Sequence, residues 1–132
     1  MSTQSMFKPK GPLAGLRVVE LAHVMAGPVG GLLLADMGAD VVKVEKLPGG
    51  DDTRRTVPPA INGEAASFMI LNRNKRGVAV DLKSPEGCEF VKRMIDKADI
   101  VLENYRPGTM EKMGLAFDSL RRTNPGLVYC KI

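Results

Sequence analysis

The sequence is poor in the residues that build metal centres, disulfide frameworks and aromatic surfaces. It has one histidine, two cysteines and no tryptophan, and aromatic residues make up 5% of its 132 positions. Two cysteines, Cys88 and Cys130, are too few for a disulfide scaffold. A single histidine, His23, excludes a metal site built from several histidines. We therefore expect a fold stabilised by an ordinary apolar core, and no metal.

Long apolar runs and a large charge excess are also absent. The opening MSTQSMFKPKG has no apolar segment of the kind found in a secretory signal, and Gly, Pro and Asp interrupt the longest apolar stretch, so we expect no membrane span. The net charge of +4 suits a small anionic ligand. Because no aromatic residues are interleaved with a basic stripe, we expect no nucleic-acid partner. These features predict a cytoplasmic protein with a disordered tail over residues 1–11.

Apolar strand segments alternate with helical patterns along the rest of the chain. Strands are predicted at 16–21, 40–45, 78–82, 100–102 and 127–132, with helices at 29–37 and 65–71, after residue 84, after residue 104 and from residue 118. The first two strands lack strict alternation, which is typical of strands buried on both faces of a parallel sheet. We predict an α/β fold, a Rossmann-like domain with a mostly parallel sheet and helices on both faces. It occupies residues 12–132, and because the chain ends within a strand we expect it to be incomplete at the C-terminus.

Helix-end signals refine these boundaries. Ser84, followed by Pro85 and Glu86, predicts the start of a helix, and Asp118 predicts the N-cap of a later one. Gly38 predicts the end of the first helix.

The first turn of this pattern, in VVELAHVMAGPVGGLLLADMGADVVKVE, raises the question of a nucleotide site. The spacing of its glycines does not match the G-x-G-x-x-G of dinucleotide-binding folds. Glu45 occupies the position of a ribose-binding acid, but Lys46 follows it and suits a phosphate better. Two interpretations stay open. The turn binds a nucleotide, or Gly30 and Gly31 simply allow a helix to pack close to the sheet.

A basic edge is predicted where the strands end, which is where open α/β sheets bind ligands. The side chains expected there combine cations for phosphates with apolar groups for a ring, the set that a phosphorylated adenosine requires. They are His23, Val24, Met25, Ala26, Lys46, Asp81, Leu82, Lys83, Asn104, Tyr105, Arg106 and Lys112.

Four segments then resemble a known family in order along the chain. PLAGLRVVELAHVMAGPVGGLLLADMGADVVKVEK, NRNKRGVAVDLKSPEG, ADIVLENYRPGTMEKMGL and NPGLVYCKI are similar to the N-terminal part of family III CoA-transferases, such as formyl-CoA transferase and carnitine CoA-transferase. The resemblance extends over nearly the whole chain from Pro12. The α-methylacyl-CoA racemases share the fold, but the long segment PGGDDTRRTVPPAINGEAASFMILNRNKR favours the transferases.

The resemblance implies coenzyme A as the bound substrate. Matched by motif, its contacts are Met25, Ala26, Lys46, Val80, Asp81, Leu82, Lys83, Asn104, Tyr105, Arg106 and Lys112. Lys46 stands where arginine is common, so it keeps the charge but loses the bidentate fork. Each residue also has a structural interpretation: Val80 and Leu82 as strand core, Lys83 as a solvated charge, and Asn104 as a turn residue. Arg106 and Lys112 are the strongest candidates for phosphate contacts.

The resemblance also implies covalent catalysis by an aspartate that moves CoA from an acyl-CoA to a carboxylic acid. By motif that aspartate lies beyond Ile132, so we assign no catalytic residue within the chain. The family's full-length members are interlocked homodimers. Two alternatives remain: a racemase of the same fold, and a truncated CoA-binding module without catalytic activity.

Overall fold

The computed structural model describes residues 10–132; residues 1–9, most of the predicted tail, lie outside the described residues. The larger sheet contains β1 Arg17–Leu21, β2 Asp40–Lys46, β5 Arg76–Val80, β6 Ile100–Glu103 and β7 Val128–Lys131, and the short strands β3 Ala60–Ile61 and β4 Glu64–Ala65 form a hairpin. The helices are α1 Ala26–Asp36, α2 Ala66–Asn72, α3 Pro85–Ile95, α4 Thr109–Lys112 and α5 Phe117–Thr123, with a 3-10 helix at Asp52–Arg55.

The larger sheet has the order β5-β2-β1-β6-β7, and every neighbouring pair in it is parallel. The chain winds outward from β1 in one direction through β2 and β5, then returns to the other side of β1 with β6. The gap between β1 and β6 is therefore the point where the winding reverses, at which doubly wound sheets bind ligands. The predicted α/β fold with a mostly parallel sheet is confirmed.

Apolar side chains pack on both faces of this sheet. On one face, Val19 and Val101 pack with Val91 of α3 and Leu120 of α5 in the larger core. On the other face, Val18 and Val41 pack with Ala35 of α1 in a smaller core. Because neighbouring residues of a strand point to opposite faces, β1 contributes to both cores through the adjacent Val18 and Val19.

Most helix ends agree with their sequence signals. Gly38 has a φ of +100° just beyond α1, and the Ser84 Oγ accepts a hydrogen bond of 3.0 Å from Gly87 N at the start of α3. The prediction that Asp118 caps a helix is wrong, because α5 begins at Phe117 with Ala116 at its N-cap, two residues before Asp118. Asp118 lies in the first turn of α5 and pairs there with Arg121 at 3.6 Å.

Helix α1 begins three residues earlier than predicted. The loop after β2 contains a 3-10 helix and a β-hairpin that we did not predict. Its hairpin of β3 and β4 turns at Asn62 and Gly63, which have φ of +52° and +86°. An Asn-Gly pair is the strongest short-range signal for such a turn, so the sequence did contain a signal for this hairpin.

None of the helices formed by residues 10–132 is long and apolar enough to cross a membrane.

Candidate functional site

A cavity of about 470 Å³ lies at the carboxyl edge of the sheet. Strand ends β2, β5 and β6 supply one part of its wall and α4 supplies the rest. Its lining residues are Lys46, Leu47, Pro48, Leu82, Lys83, Tyr105, Thr109, Lys112 and Met113. Five of the predicted contact residues thus lie around one cavity: Lys46, Leu82, Lys83, Tyr105 and Lys112.

A second cavity of about 430 Å³ adjoins the first and shares Leu82, Lys83, Lys112 and Met113 with it. It continues past the N-terminus of α3 to Lys92. Within residues 10–132, Lys83 and Lys112 form no salt bridge, whereas Lys46 pairs with Asp52 at 3.0 Å. The two cavities therefore offer a path along which unpaired lysines can meet phosphate groups.

Four lining residues of the first cavity were not predicted. Leu47 and Pro48 directly follow Lys46, and Thr109 and Met113 lie three residues before and one residue after Lys112. Residues three or four positions apart share one face of a helix. That spacing was a usable signal for Thr109, once Lys112 was placed at the site.

The remaining predicted contacts lie elsewhere. Arg106 is exposed and lines neither cavity. Met25, 63% exposed, and Ala26 lie at the start of α1, while Val80 is buried in the larger core. The Asp81 Oδ1 accepts a hydrogen bond from Lys83 N at 3.0 Å, so Asp81 shapes the turn that presents Lys83.

The turn between β1 and α1 is held by side chains from distant parts of the chain. The side-chain amide of Asn104 accepts from His23 N at 2.9 Å and donates to His23 O at 2.8 Å. Lys43 Nζ donates to Ala22 O at 2.8 Å, and the Asp51 Oδ1 accepts from Val24 N at 3.2 Å. Asn104 therefore stabilises the turn through its side-chain amide. A contact of Asn104 with a ligand stays a prediction.

His23 also bonds the wall of the first cavity. Its Nε2 lies 3.0 Å from the Tyr105 hydroxyl. Burial lowers the pKa of His23; burial, followed by the nearby carboxylates of Glu103 and Asp51, raises the pKa of Tyr105 to about 12. At neutral pH the pair therefore consists of an uncharged imidazole and an uncharged phenol, which places no charge of its own on this side of the cavity.

Glu45 does not serve as a ribose-binding acid. Arg54 forms a bidentate pair with it, Nε to Oε2 at 2.7 Å and Nη2 to Oε1 at 2.8 Å, and Asp51 N donates to Oε2 at 3.0 Å. The hydrogen bonds from Arg54 are the main cause of the lowered pKa of Glu45. With both oxygens engaged inside the protein, the residue folds the loop after β2 back onto the sheet, which argues against a dinucleotide site.

Four buried charges lie beneath the turn. Lys43 Nζ is 3.0 Å from Glu20 Oε1 and 2.8 Å from Asp51 Oδ2, and Lys75 Nζ is 2.8 Å from Glu20 Oε2. Burial acts to raise the pKa of Asp51, but the hydrogen bonds from Lys43 and Thr53 outweigh it and lower the value to about 2. Asp51 is therefore ionised at physiological pH and balances Lys43.

Close packing explains two of the three glycines of α1. A Cβ on Gly31 would lie 1.8 Å from Glu20 Oε2, and one on Gly27 would lie 2.3 Å from the Ala22 Cβ. Gly30 has more room, since its nearest neighbour would be Leu102 Cδ2 at 3.3 Å. The interpretation that a glycine allows close packing therefore applies to Gly31, where the neighbour is a buried charge.

We expect Gly31→Ala to lower the free energy of unfolding by about 2 kcal/mol, since the added methyl must displace an ion-paired carboxylate. Gly30→Ala is the matched control on the same helix. There the gain in helix propensity offsets the tighter contact, so the change should stay within about 0.5 kcal/mol. Urea unfolding monitored by circular dichroism measures both. Equal losses in the two variants would contradict the close-packing account.

Within residues 10–132, no group of three or more His, Cys, Asp or Glu side chains is arranged to hold a metal ion.

Comparison with known proteins identifies the family of the chain. Over 129 residues the chain is 51% identical to the succinate–glutarate CoA-transferase of Agrobacterium fabrum, covering 93% of this chain and 32% of that protein. It is 42% identical to mouse succinyl-CoA:glutarate CoA-transferase, covering 92% and 28%. Among solved structures it matches a CAIB/BAIF family protein from Brucella suis with a TM-score of 0.86 and 48% identity, covering 92% and 33%.

The chain thus spans about a third of the length of these relatives. The sequence profile of CoA-transferase family III matches residues 13–132, which is nearly all of the described chain. The chain belongs to CoA-transferase family III.

Proposed function

We propose that this chain supplies the CoA-binding part of an enzyme that moves CoA from an acyl-CoA to a carboxylic acid. The observation that supports this most directly is the pair of adjoining cavities at the carboxyl edge of a parallel sheet, with Lys83 and Lys112 bordering both. Membership of the family makes a CoA thioester the expected ligand. A CoA phosphate needs cations and hydrogen-bond donors, and its adenine needs an apolar wall such as Leu82 and Met113 offer.

In the proposed arrangement the nucleotide end of CoA occupies the cavities and its thioester extends away from them. Lys46, Lys83 and Lys112 face the phosphates, while Tyr105, Leu82 and Met113 form the walls. Met25, Ala26, Val80, Asp81, Asn104 and Arg106 remain proposed contacts from the family motif, and of these we expect Arg106 to contribute little, because it lines neither cavity. We propose a cytoplasmic enzyme that assembles as an interlocked homodimer.

The proposed chemistry uses an aspartate in the part of the enzyme that this chain does not span. Its carboxylate attacks the acyl-CoA carbonyl, which forms a mixed anhydride and releases CoA thiolate. The thiolate attacks the aspartyl carbonyl of the anhydride, giving an aspartyl-CoA thioester and the donor acid. The acceptor carboxylate attacks the aspartyl carbonyl of that thioester, which forms a second mixed anhydride and again releases CoA thiolate. The thiolate then attacks the acceptor's acyl carbon, so that the new acyl-CoA forms and the aspartate is regenerated.

The names of two relatives suggest a substrate pair. Both the bacterial and the mouse protein are named for transfer between succinate and glutarate or their CoA thioesters. We propose short dicarboxylic acids as the substrate class, with succinyl-CoA as donor and glutarate as acceptor.

The test uses the protein at its natural length with succinyl-CoA and glutarate. We expect glutaryl-CoA and succinate to appear in equal amounts, measured by liquid chromatography, with no net loss of thioester. Acetate, which has one carboxylate, is the matched control acceptor and tests whether the second carboxylate of glutarate is required. Hydrolysis of succinyl-CoA without glutaryl-CoA, or epimerisation of a 2-methylacyl-CoA instead, would contradict the proposal.

A further inference from the structure

We propose that Asp51 and Lys43 are positioning residues for the CoA site: they fix the turn between β1 and α1 and join it to the loop that borders the first cavity. The inference rests on the proposed function of that cavity. Neither residue lines either cavity. Both are almost fully buried, with side chains 0% and 2% exposed.

The turn depends on side chains because it has few backbone partners of its own. Val24 has a φ of +68°, a left-handed conformation that a β-branched residue rarely adopts. Its N–H is bonded to the Asp51 Oδ1 at 3.2 Å, and Ala22 O accepts from Lys43 Nζ at 2.8 Å. Such a conformation persists when the surroundings hold it at several points, and these two side chains provide two of those points.

Asp51 is in turn fixed by its own loop. Its backbone N donates to Glu45 Oε2 at 3.0 Å, and its Oδ1 accepts from Thr53 N and Thr53 Oγ1 at 2.9 and 2.8 Å. The same loop contains Leu47 and Pro48, which line the first cavity. Asp51 therefore links a cavity wall to the turn before α1.

The third connection runs through His23, on the other side of the turn. His23 Nε2 lies 3.0 Å from the hydroxyl of Tyr105, which also lines the first cavity. The turn is thus tied to two walls of the cavity, to Leu47 and Pro48 through Asp51 and to Tyr105 through His23. Releasing the turn should let both walls move, and the cavity would lose its fit to the ligand.

The test compares variants of the natural-length protein by calorimetric titration with CoA, after urea unfolding has shown each to be folded. We expect Asp51→Ala to raise the CoA dissociation constant by about 10- to 100-fold, the range for one lost hydrogen bond to a charged group. Asp51→Asn keeps an oxygen acceptor for Val24 N and should restore the constant to within about threefold of the original. Should Asp51→Ala not fold, Asp51→Ser, whose hydroxyl lies one bond closer to the backbone than the carboxylate oxygens, replaces it with the same expected loss.

Glu20→Gln is the matched control. Glu20 belongs to the same buried charge cluster, but it contacts Lys43 and Lys75 rather than the backbone of the turn. It should lower stability while leaving the CoA dissociation constant within about threefold. Unchanged CoA affinity in Asp51→Ala, or an equal loss of CoA affinity in Glu20→Gln at similar stability, would overturn this inference but not the proposed function. Absence of CoA binding by the unsubstituted protein would instead overturn the proposed function and the inference with it.

Discussion

We expect the 132-residue chain on its own to transfer no CoA from succinyl-CoA to glutarate. The proposed reaction needs an unpaired carboxylate beside the thioester, and the aspartates of this chain are engaged in other contacts. Asp36 and Asp40 pair with Arg73 and Arg76, and Asp96 pairs with Lys92. Asp51 is buried against Lys43.

The other aspartates also have partners within the described residues. The Asp52 carboxylate pairs with Lys46 and Arg55, Asp118 pairs with Arg121, and Asp99 and Asp81 accept backbone hydrogen bonds. Asp52 is the member of this set whose partner lines the first cavity. It is therefore the aspartate most in need of a control.

The measurement is the appearance of glutaryl-CoA with the purified chain, in parallel with the natural-length protein. The control is calorimetric titration of the chain with CoA. If the chain binds CoA, its site is intact, and the absence of transfer is then due to a missing nucleophile. Transfer by the chain would place the nucleophile within it and contradict the assignment. Asp52→Asn would then be the first variant to measure, because its loss of activity would identify Asp52.

Much of the fold could be predicted because the signals are local. Each strand of the larger sheet has an apolar run, and Ser84 and Gly38 mark helix ends by chemistry that acts within a few residues. The cavity could be predicted in part for a related reason. Strands of a parallel sheet all end at one edge, so the residues after β2, β5 and β6 had to approach each other.

The supports of the site could not be predicted in the same way. Within the sequence of β2, nothing indicates why a charged residue such as Lys43 should be buried. Its partners Glu20 and Asp51, which offset the cost of burying the charge, are on other segments. Asn104 bonds the backbone of His23 across 81 residues of sequence. No periodicity reports such pairs, since they depend on the order of strands in the sheet.

Arg106 and Lys112 show how far a motif determines position. Both follow β6 and both are basic, so sequence reasoning ranked them equally. In the structure, α4 turns Lys112 toward both cavities, while Arg106 precedes Gly108, with a φ of +84°, and lies outside them. The direction of the chain after a glycine in a left-handed conformation separates two residues that the motif treats alike.

We therefore expect Lys112→Met to weaken CoA binding more than Arg106→Ala does in the natural-length protein. Methionine retains much of the apolar stem that borders the cavities and removes the charge. A charge-assisted contact to phosphate is worth about 1.5–3 kcal/mol, so the CoA dissociation constant should rise by about 10- to 100-fold. For Arg106→Ala we expect a rise below about threefold, because the side chain lies outside both cavities.

Calorimetric titration with CoA provides the measurement, and Arg121→Ala is the control for a change in net charge, since Arg121 is exposed on α5 away from the cavities. The effect of Lys112→Met should disappear with a pantetheine thioester, which lacks the nucleotide and its phosphates, and should shrink as salt screens the contact. NAD should bind neither form, because Glu45 is engaged by Arg54. Equal affinities for CoA before and after Lys112→Met would place the phosphates outside these cavities. A large loss in Arg106→Ala would then mark the surface beside Gly108 as their site.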